Sequence, residues 1–304
     1  MSAPTGRAAA VGAALCLVSA AGFGAMAIFG KLAYDEGVST LMLLLVRFAG
    51  AAAIFWLVLA VRPRLRPRGA GARTIAVGLG LGGIGYALQA GLFFAALQRL
   101  DASLLALLLY TYPAWVTLAA FAIGRERPSR HTLVALALSS GGLVIVLAGA
   151  ASGSFDTLGA AMALGAAFAY TGYILVADRT GISISPLTLS ALVCAGGTFT
   201  FAVVGLASGE LTVRLSAEAW LWLGLLIVLS TAVPIATFFA GLARVGPSTA
   251  SILSTFEPVV TVALAYLAFS ERLSAAQLAG AALVLAAAVM LAAPVRTREP
   301  VPPT

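Results

Sequence analysis

Apolar runs of membrane-crossing length alternate with short polar breaks along the whole chain. The runs lie at about 10–31, 39–61, 74–98, 103–123, 131–150, 157–177, 187–207, 217–242, 248–268 and 274–294. The hydrocarbon core of a bilayer takes roughly 20 apolar residues per helix, so each run predicts one transmembrane helix. The breaks carry turn and charge signals, as in "RPRLRPRGAGAR" at 62–73, "GRERPSRH" at 124–131 and "SGSFD" at 152–156. None is long enough for a soluble domain. The first run exceeds a signal-peptide core and many more follow it, so it is expected to be a retained helix. The pattern predicts an all-α integral membrane protein of ten transmembrane helices.

Composition narrows this further. Hydrophobic residues make up 61% of the chain and charged residues 10%, against about 25% charged in a soluble domain. Lipid must therefore solvate most of the surface. The net charge of +7 does not point to nucleic acid, because the basic residues sit between apolar runs. Arg7, Arg62, Arg64, Arg66, Arg68, Arg73, Arg125, Arg127, Arg130, Arg179, Arg244, Arg296 and Arg298 fall on one side. Only Lys31, Arg99, Arg214 and Arg272 fall on the other. The positive-inside rule then puts both termini in the cytoplasm. Abundant Arg, Ala and Gly suggest a GC-rich bacterial genome, and hence a bacterial inner membrane. Cys16 and Cys194 lie inside apolar runs and read as small buried residues. His131 has no Cys or carboxylate at metal-ligand spacing, and no phosphate-cradling loop is present. No metal, cofactor or enzymatic activity is expected.

Two stretches share an outline. "LYTYPAWVTLAAFAIGRERP" begins at Leu109, and "STFEPVVTVALAYLAFSERL" begins at Ser254. Pro113 stands to Glu126-Arg127 as Pro258 stands to Glu271-Arg272, and upstream "FFAALQRL" at 93–100 faces "FFAGLARV" at 238–245. The chain thus reads as two five-helix repeats, 10–150 and 157–294. Five is odd, so the second enters the membrane inverted, a construction recurrent in secondary transporters. This arrangement resembles the drug/metabolite transporter superfamily, specifically its EamA-type members. The likeness rests on the two halves, the basic loop after the second run, the prolines of the fourth and ninth, "GRERP" and "SERL", and Arg47. Phe23 departs from it, standing where a tryptophan is frequent.

Charge inside hydrocarbon costs at least about 2.5–3.5 kcal/mol, which singles out Arg47 and Glu257. At 1.5 Å per residue, Arg47 lies about 12 Å below one surface and Glu257 about 14 Å above the other. In a core about 30 Å thick they reach similar depths, either as a structural ion pair or as walls of a substrate path. Snorkelling of Arg47 is a further alternative. Pro113 and Pro258 free the carbonyls of Leu109 and Ser254, as packing kinks or as cavity-facing acceptors. Tyr86 and Gln89, one turn apart, join Tyr110 and Tyr112 as candidate substrate contacts beside Arg47 and Glu257. Tyr170 and Tyr173 are weaker candidates. Gly78 and Gly82 read as a close helix–helix contact.

What the resemblance implies is a secondary transporter, an exporter of small metabolites such as amino acids, working by alternating access and open to proton coupling through Glu257. Its partners would be that solute and the bilayer, with homodimerisation through the small-residue faces of the fifth and tenth helices as an option. The alternative is a non-transporting membrane scaffold or sensor.

Overall fold

The computed structural model describes residues 6–62, 71–124, 129–150, 156–180, 184–211 and 214–292. The sequence-level candidates Arg64, Arg66, Arg68, Arg125, Glu126, Arg127, Arg296 and Arg298 lie outside them. Among the described residues, ten helices are long and apolar enough to cross a membrane. They are α1 (Arg7–Asp35), α2 (Thr40–Val61), α3 (Ala72–Leu97), α4 (Ala102–Ala122) and α5 (Arg130–Gly149). After these come α6 (Thr157–Arg179), α7 (Pro186–Ser208), α8 (Ala217–Val245), α9 (Thr249–Phe269) and α10 (Ala275–Ala292). No strand occurs among the described residues.

Local chemistry sets where the helices start. Ser39, Asp156, Ser185 and Ser216 each accept a hydrogen bond from a backbone N–H in the first turn, opening α2, α6, α7 and α8. Such caps satisfy donors that a helix start leaves unpaired. Several helices are not continuous. α1 breaks at Ala25, α4 at Tyr110–Thr111 and α9 at Thr255. α3 widens into a π segment over Leu81–Tyr86, and α8 does so over Val228–Ala232. Backbone freed in this way is tolerated within hydrocarbon only where protein or a cavity covers it.

The packing scheme treats the two halves alike. α5 lies along α10, α2 along α7, α1 along α8 and α3 along α6. α1 also meets α9, as α6 meets α4. Exchanging each helix with the one five places on leaves this scheme unchanged. Where α3 crosses α7, a Cβ on Gly82 would collide with the backbone of Val193, and one on Gly78 would come within 2.8 Å of Leu192 Cδ1. The expected close contact therefore exists, and Thr200 Oγ1 seals it by donating to the Gly83 carbonyl at 2.6 Å. Leu57, Ile84, Val144, Phe199, Leu206 and Leu267 are exposed on the outside of the bundle, an apolar surface suited to lipid.

Candidate functional site

The interrupted helices meet at mid-depth. The break in α9 makes Phe256–Phe269 a separate half-helix with Glu257 in its first turn, where the positive end of the helix dipole favours a carboxylate. The N–H that proline lacks leaves the Ser254 carbonyl free, and the Tyr110 hydroxyl donates to it from the matching break in α4. The break in α1 presses against α9: Thr261 Oγ1 is shared between the carbonyls of Gly24 (2.9 Å) and Glu257 (3.1 Å). Both π segments contribute as well. The first ends at Tyr86, and the second supplies Ser230 and Thr231. π-bulges recur at functional sites because they turn side chains off the helical register.

Between these breaks lies a cavity of about 130 Å³ whose walls include Arg47, Tyr86, Gln89, Tyr110, Tyr112 and Glu257. All six sequence-level candidates thus meet in one space, with Pro258 beside them; Pro113 lines a neighbouring cavity. Tyr170, a weaker candidate from the sequence, also lines this cavity, and Tyr173 lines the neighbouring one. Ring centroids step from Tyr110 to Tyr112 (5.7 Å), Tyr170 (4.8 Å), Tyr173 (6.0 Å), Tyr86 (5.6 Å) and Phe48 (5.6 Å). This aromatic path runs from Glu257 toward Arg47.

Arg47 is 2% exposed and does not snorkel. Its Nε donates to Thr231 Oγ1 at 3.1 Å, and that hydroxyl in turn donates to the Leu226 carbonyl at 2.9 Å. Phe48 and Phe94 each face the guanidinium at 5.4 Å, an arrangement that attracts a cation to the ring face. Nη2 has no hydrogen-bond partner. Among the described residues no ion pair includes Arg47 or Glu257. The structural ion pair weighed from the sequence is therefore not formed; the two residues share a cavity instead. The roles of Thr231, Phe48 and Phe94 escaped sequence reasoning. The one available signal was the Ser230-Thr231 pair, polar within an otherwise apolar run.

The two ends of the bundle differ. At the end bearing Lys31, the Glu271 carboxylate accepts from Lys31 Nζ (2.8 Å), the Ala102 and Ser103 backbone N–H groups (3.0 Å each) and Ser103 Oγ (2.8 Å). This clasp ties α1, α4 and the end of α9 together. Toward the other end, which carries Arg7, Arg62, Arg73, Arg130, Arg179 and Arg244, two larger cavities continue from the tyrosines. One, of about 310 Å³, runs past Ser190, Phe238 and Phe239; the other, of about 660 Å³, runs past Thr117, Ser129 and His131.

The Tyr110 link is open to test. Tyr110→Phe leaves the Ser254 carbonyl without its donor inside the bundle, which should cost about 1–3 kcal/mol. A lower melting temperature of the detergent-solubilised protein is expected, and an unchanged one would show that the link contributes nothing.

The model of the EamA-like transporter family matches residues 10–148 and again 157–293. An uncharacterised transporter of Bacillus subtilis, YcbK, is 26% identical over 281 residues, 90% of each chain. An uncharacterised transporter of Archaeoglobus fulgidus is 29% identical over 88% of this chain and 92% of its own. The threonine/homoserine exporter RhtA of Salmonella typhimurium is 29% identical over 206 residues, 66% of this chain and 64% of the exporter. A solved crystal structure shares the fold with a TM-score of 0.65 at 17% identity, over 92% of this chain and 95% of its own.

Proposed function

The chain belongs to the EamA-like transporter family of the drug/metabolite transporter superfamily, and from that premise we propose that it is a secondary transporter exporting small metabolites such as amino acids. The observation that carries the proposal is the mid-depth cavity, walled by both halves and lined by a buried guanidinium with one unpartnered nitrogen and by a carboxyl group that forms no ion pair among the described residues. An isolated charge buried in protein is costly; a site that binds and releases a solute supplies a reason to keep it. A cavity of about 130 Å³ is of the scale that suits a small solute.

In this reading the two five-helix halves are inverted repeats, and alternating access arises as they exchange conformations about the fixed site. In the same reading the clasp lies at the periplasmic end and the arginine-bearing end faces the cytoplasm of a bacterial cell; the cavities that run from the tyrosines toward the arginines support an inward-facing arrangement. Glu257 is the group that exchanges a proton during the cycle. Glu257→Gln is then expected to stay in the membrane and keep measurable flux while losing its dependence on pH. A pH profile identical to that of the unsubstituted protein would remove proton coupling from the mechanism.

The name of RhtA supplies the first probe. Purified protein in liposomes should move labelled threonine or a related amino acid with saturable kinetics. Absence of flux for every solute tried would favour the scaffold or sensor alternative.

A further inference from the structure

Resting on that transporter reading, we infer that the cavity has two poles and takes a small zwitterion, its carboxylate on Arg47 Nη2 and its ammonium on Glu257. Three observations converge. First, the Arg47 guanidinium is already fixed by Thr231 Oγ1 at 3.1 Å and by the faces of Phe48 and Phe94 at 5.4 Å each. One nitrogen of this buried group, Nη2, is left with nothing to donate to. A guanidinium presents five N–H donors in a rigid fork that matches a carboxylate, so an anionic group is what this donor set lacks.

Second, Glu257 stands in the same cavity with no cationic partner among the described residues. The tyrosines around it offer ring faces and edges: Tyr112 lies 5.7 Å from Tyr110 and 4.8 Å from Tyr170. A carboxylate among aromatic rings suits an ammonium, which is drawn both to the charge and to the ring faces. Third, Arg47 and Glu257 line one small space without forming an ion pair with each other. A buried ionisable group left without a partner lacks the interaction that would offset its desolvation. A ligand carrying both charges restores it at each pole, whereas a simple anion or cation would satisfy one pole and leave the other bare.

The test uses the intact protein in liposomes with labelled threonine, and as competitors unlabelled threonine, threoninamide (no carboxylate) and N-acetylthreonine (no ammonium). Each analogue leaves one pole unpaired, and a lost charged hydrogen bond corresponds to weakening of about 10- to 100-fold. Both analogues should compete that much more weakly than threonine itself. Arg47→Gln should narrow the preference for threonine over threoninamide, and Glu257→Gln the preference over N-acetylthreonine. The analogue series on the unsubstituted protein decides the matter even if either variant fails to fold. Threonine flux that both analogues inhibit as well as threonine does would overturn the two-pole assignment and leave the transporter reading standing. No flux of any solute would overturn both.

Discussion

Replacing Glu271 by alanine should loosen the closed end of the bundle and expose the central cavity from that side. The Glu271 side chain is 6% exposed and takes donors from α1 and α4 at once. For α4 it acts as an N-cap supplied from elsewhere in the chain, because Asp101, at the cap position, makes no capping bond of its own. Alanine would strand the first N–H groups of α4 and leave the Lys31 ammonium with only the more distant Asp101 carboxylate, at 3.8 Å. Breaking a buried ion pair costs about 3–5 kcal/mol, and Lys31, 21% exposed, places the cost near about 3 kcal/mol. In the proposed alternating-access cycle, in which one state alone would hold the clasp, that loss moves the balance between the two states by about 100-fold. The readout is a cysteine at Ala106, a cavity-lining position, in a background lacking Cys16 and Cys194. An impermeant maleimide added from the Lys31 side should label it far faster once Glu271 is gone, and equal labelling would show that the clasp does not hold this end.

The same carboxylate makes the clasp sensitive to acid. Burial alone would raise its pKa, but the hydrogen bond from Lys31 and those from the Ser103 and Ala102 N–H groups outweigh burial and hold it below the ordinary glutamate value. A group held low when folded stabilises the fold fully above its unfolded value, about 4.3. That stability is lost as pH falls from there through the lowered folded value. Acid should therefore raise the labelling rate of the residue 106 cysteine relative to that of a free thiol at the same pH, since the thiolate that reacts also becomes scarcer in acid. The alanine variant should show little further rise in that ratio.

Reading the helices from the sequence succeeded where the bilayer dictates the answer. A backbone in hydrocarbon must pair internally, so apolar length alone located the ten spans to within a few residues. The α4 and α9 breaks were legible because Pro113 and Pro258 announce them. The π segments of α3 and α8 were not read: that of α8 runs up to Pro234, a signal of the same kind that was passed over, while that of α3 is packed closely against α7. Counting residues placed Arg47 and Glu257 at similar depth. It could not give their lateral separation, which is set by how the two halves meet. Thr231 holds Arg47 from six helices away, and Glu271 reaches Lys31 and Ser103 across comparable distances in the chain. Such partners leave no periodic trace. The tyrosines were half legible: helical spacing grouped Tyr86 with Gln89, while Tyr170 became a cavity wall only through the packing of α6 against α4.

Two adjacent glycines on α5 should respond very unequally to the same substitution. A Cβ on Gly142 would sit 2.7 Å from the Gly280 carbonyl oxygen, 2.9 Å from Val284 Cγ2 and 3.0 Å from Leu283 Cβ. Gly280 meets the Gly142 carbonyl in return, also at 2.7 Å. The backbones of α5 and α10 touch here, and a carbonyl cannot rotate away as a side chain can. Gly141, one residue earlier, has nothing within 4 Å of its Cβ position. Overpacking a tight contact costs about 1–3 kcal/mol per added group and more when backbone must move, so Gly142→Leu should remove most folded protein from the membrane. Gly142→Ala should be milder, and Gly141→Leu should stay within about 0.5 kcal/mol of the parent. Size-exclusion profiles of detergent extracts after a heat ramp read all three. Equal stability of Gly142→Leu and Gly141→Leu would mean that α5 and α10 are not packed backbone to backbone. The outcome also bears on assembly: the small-residue faces of these helices are spent on each other within one chain, so a second copy would have to meet their remaining apolar sides, where Val144 and Leu278 are exposed.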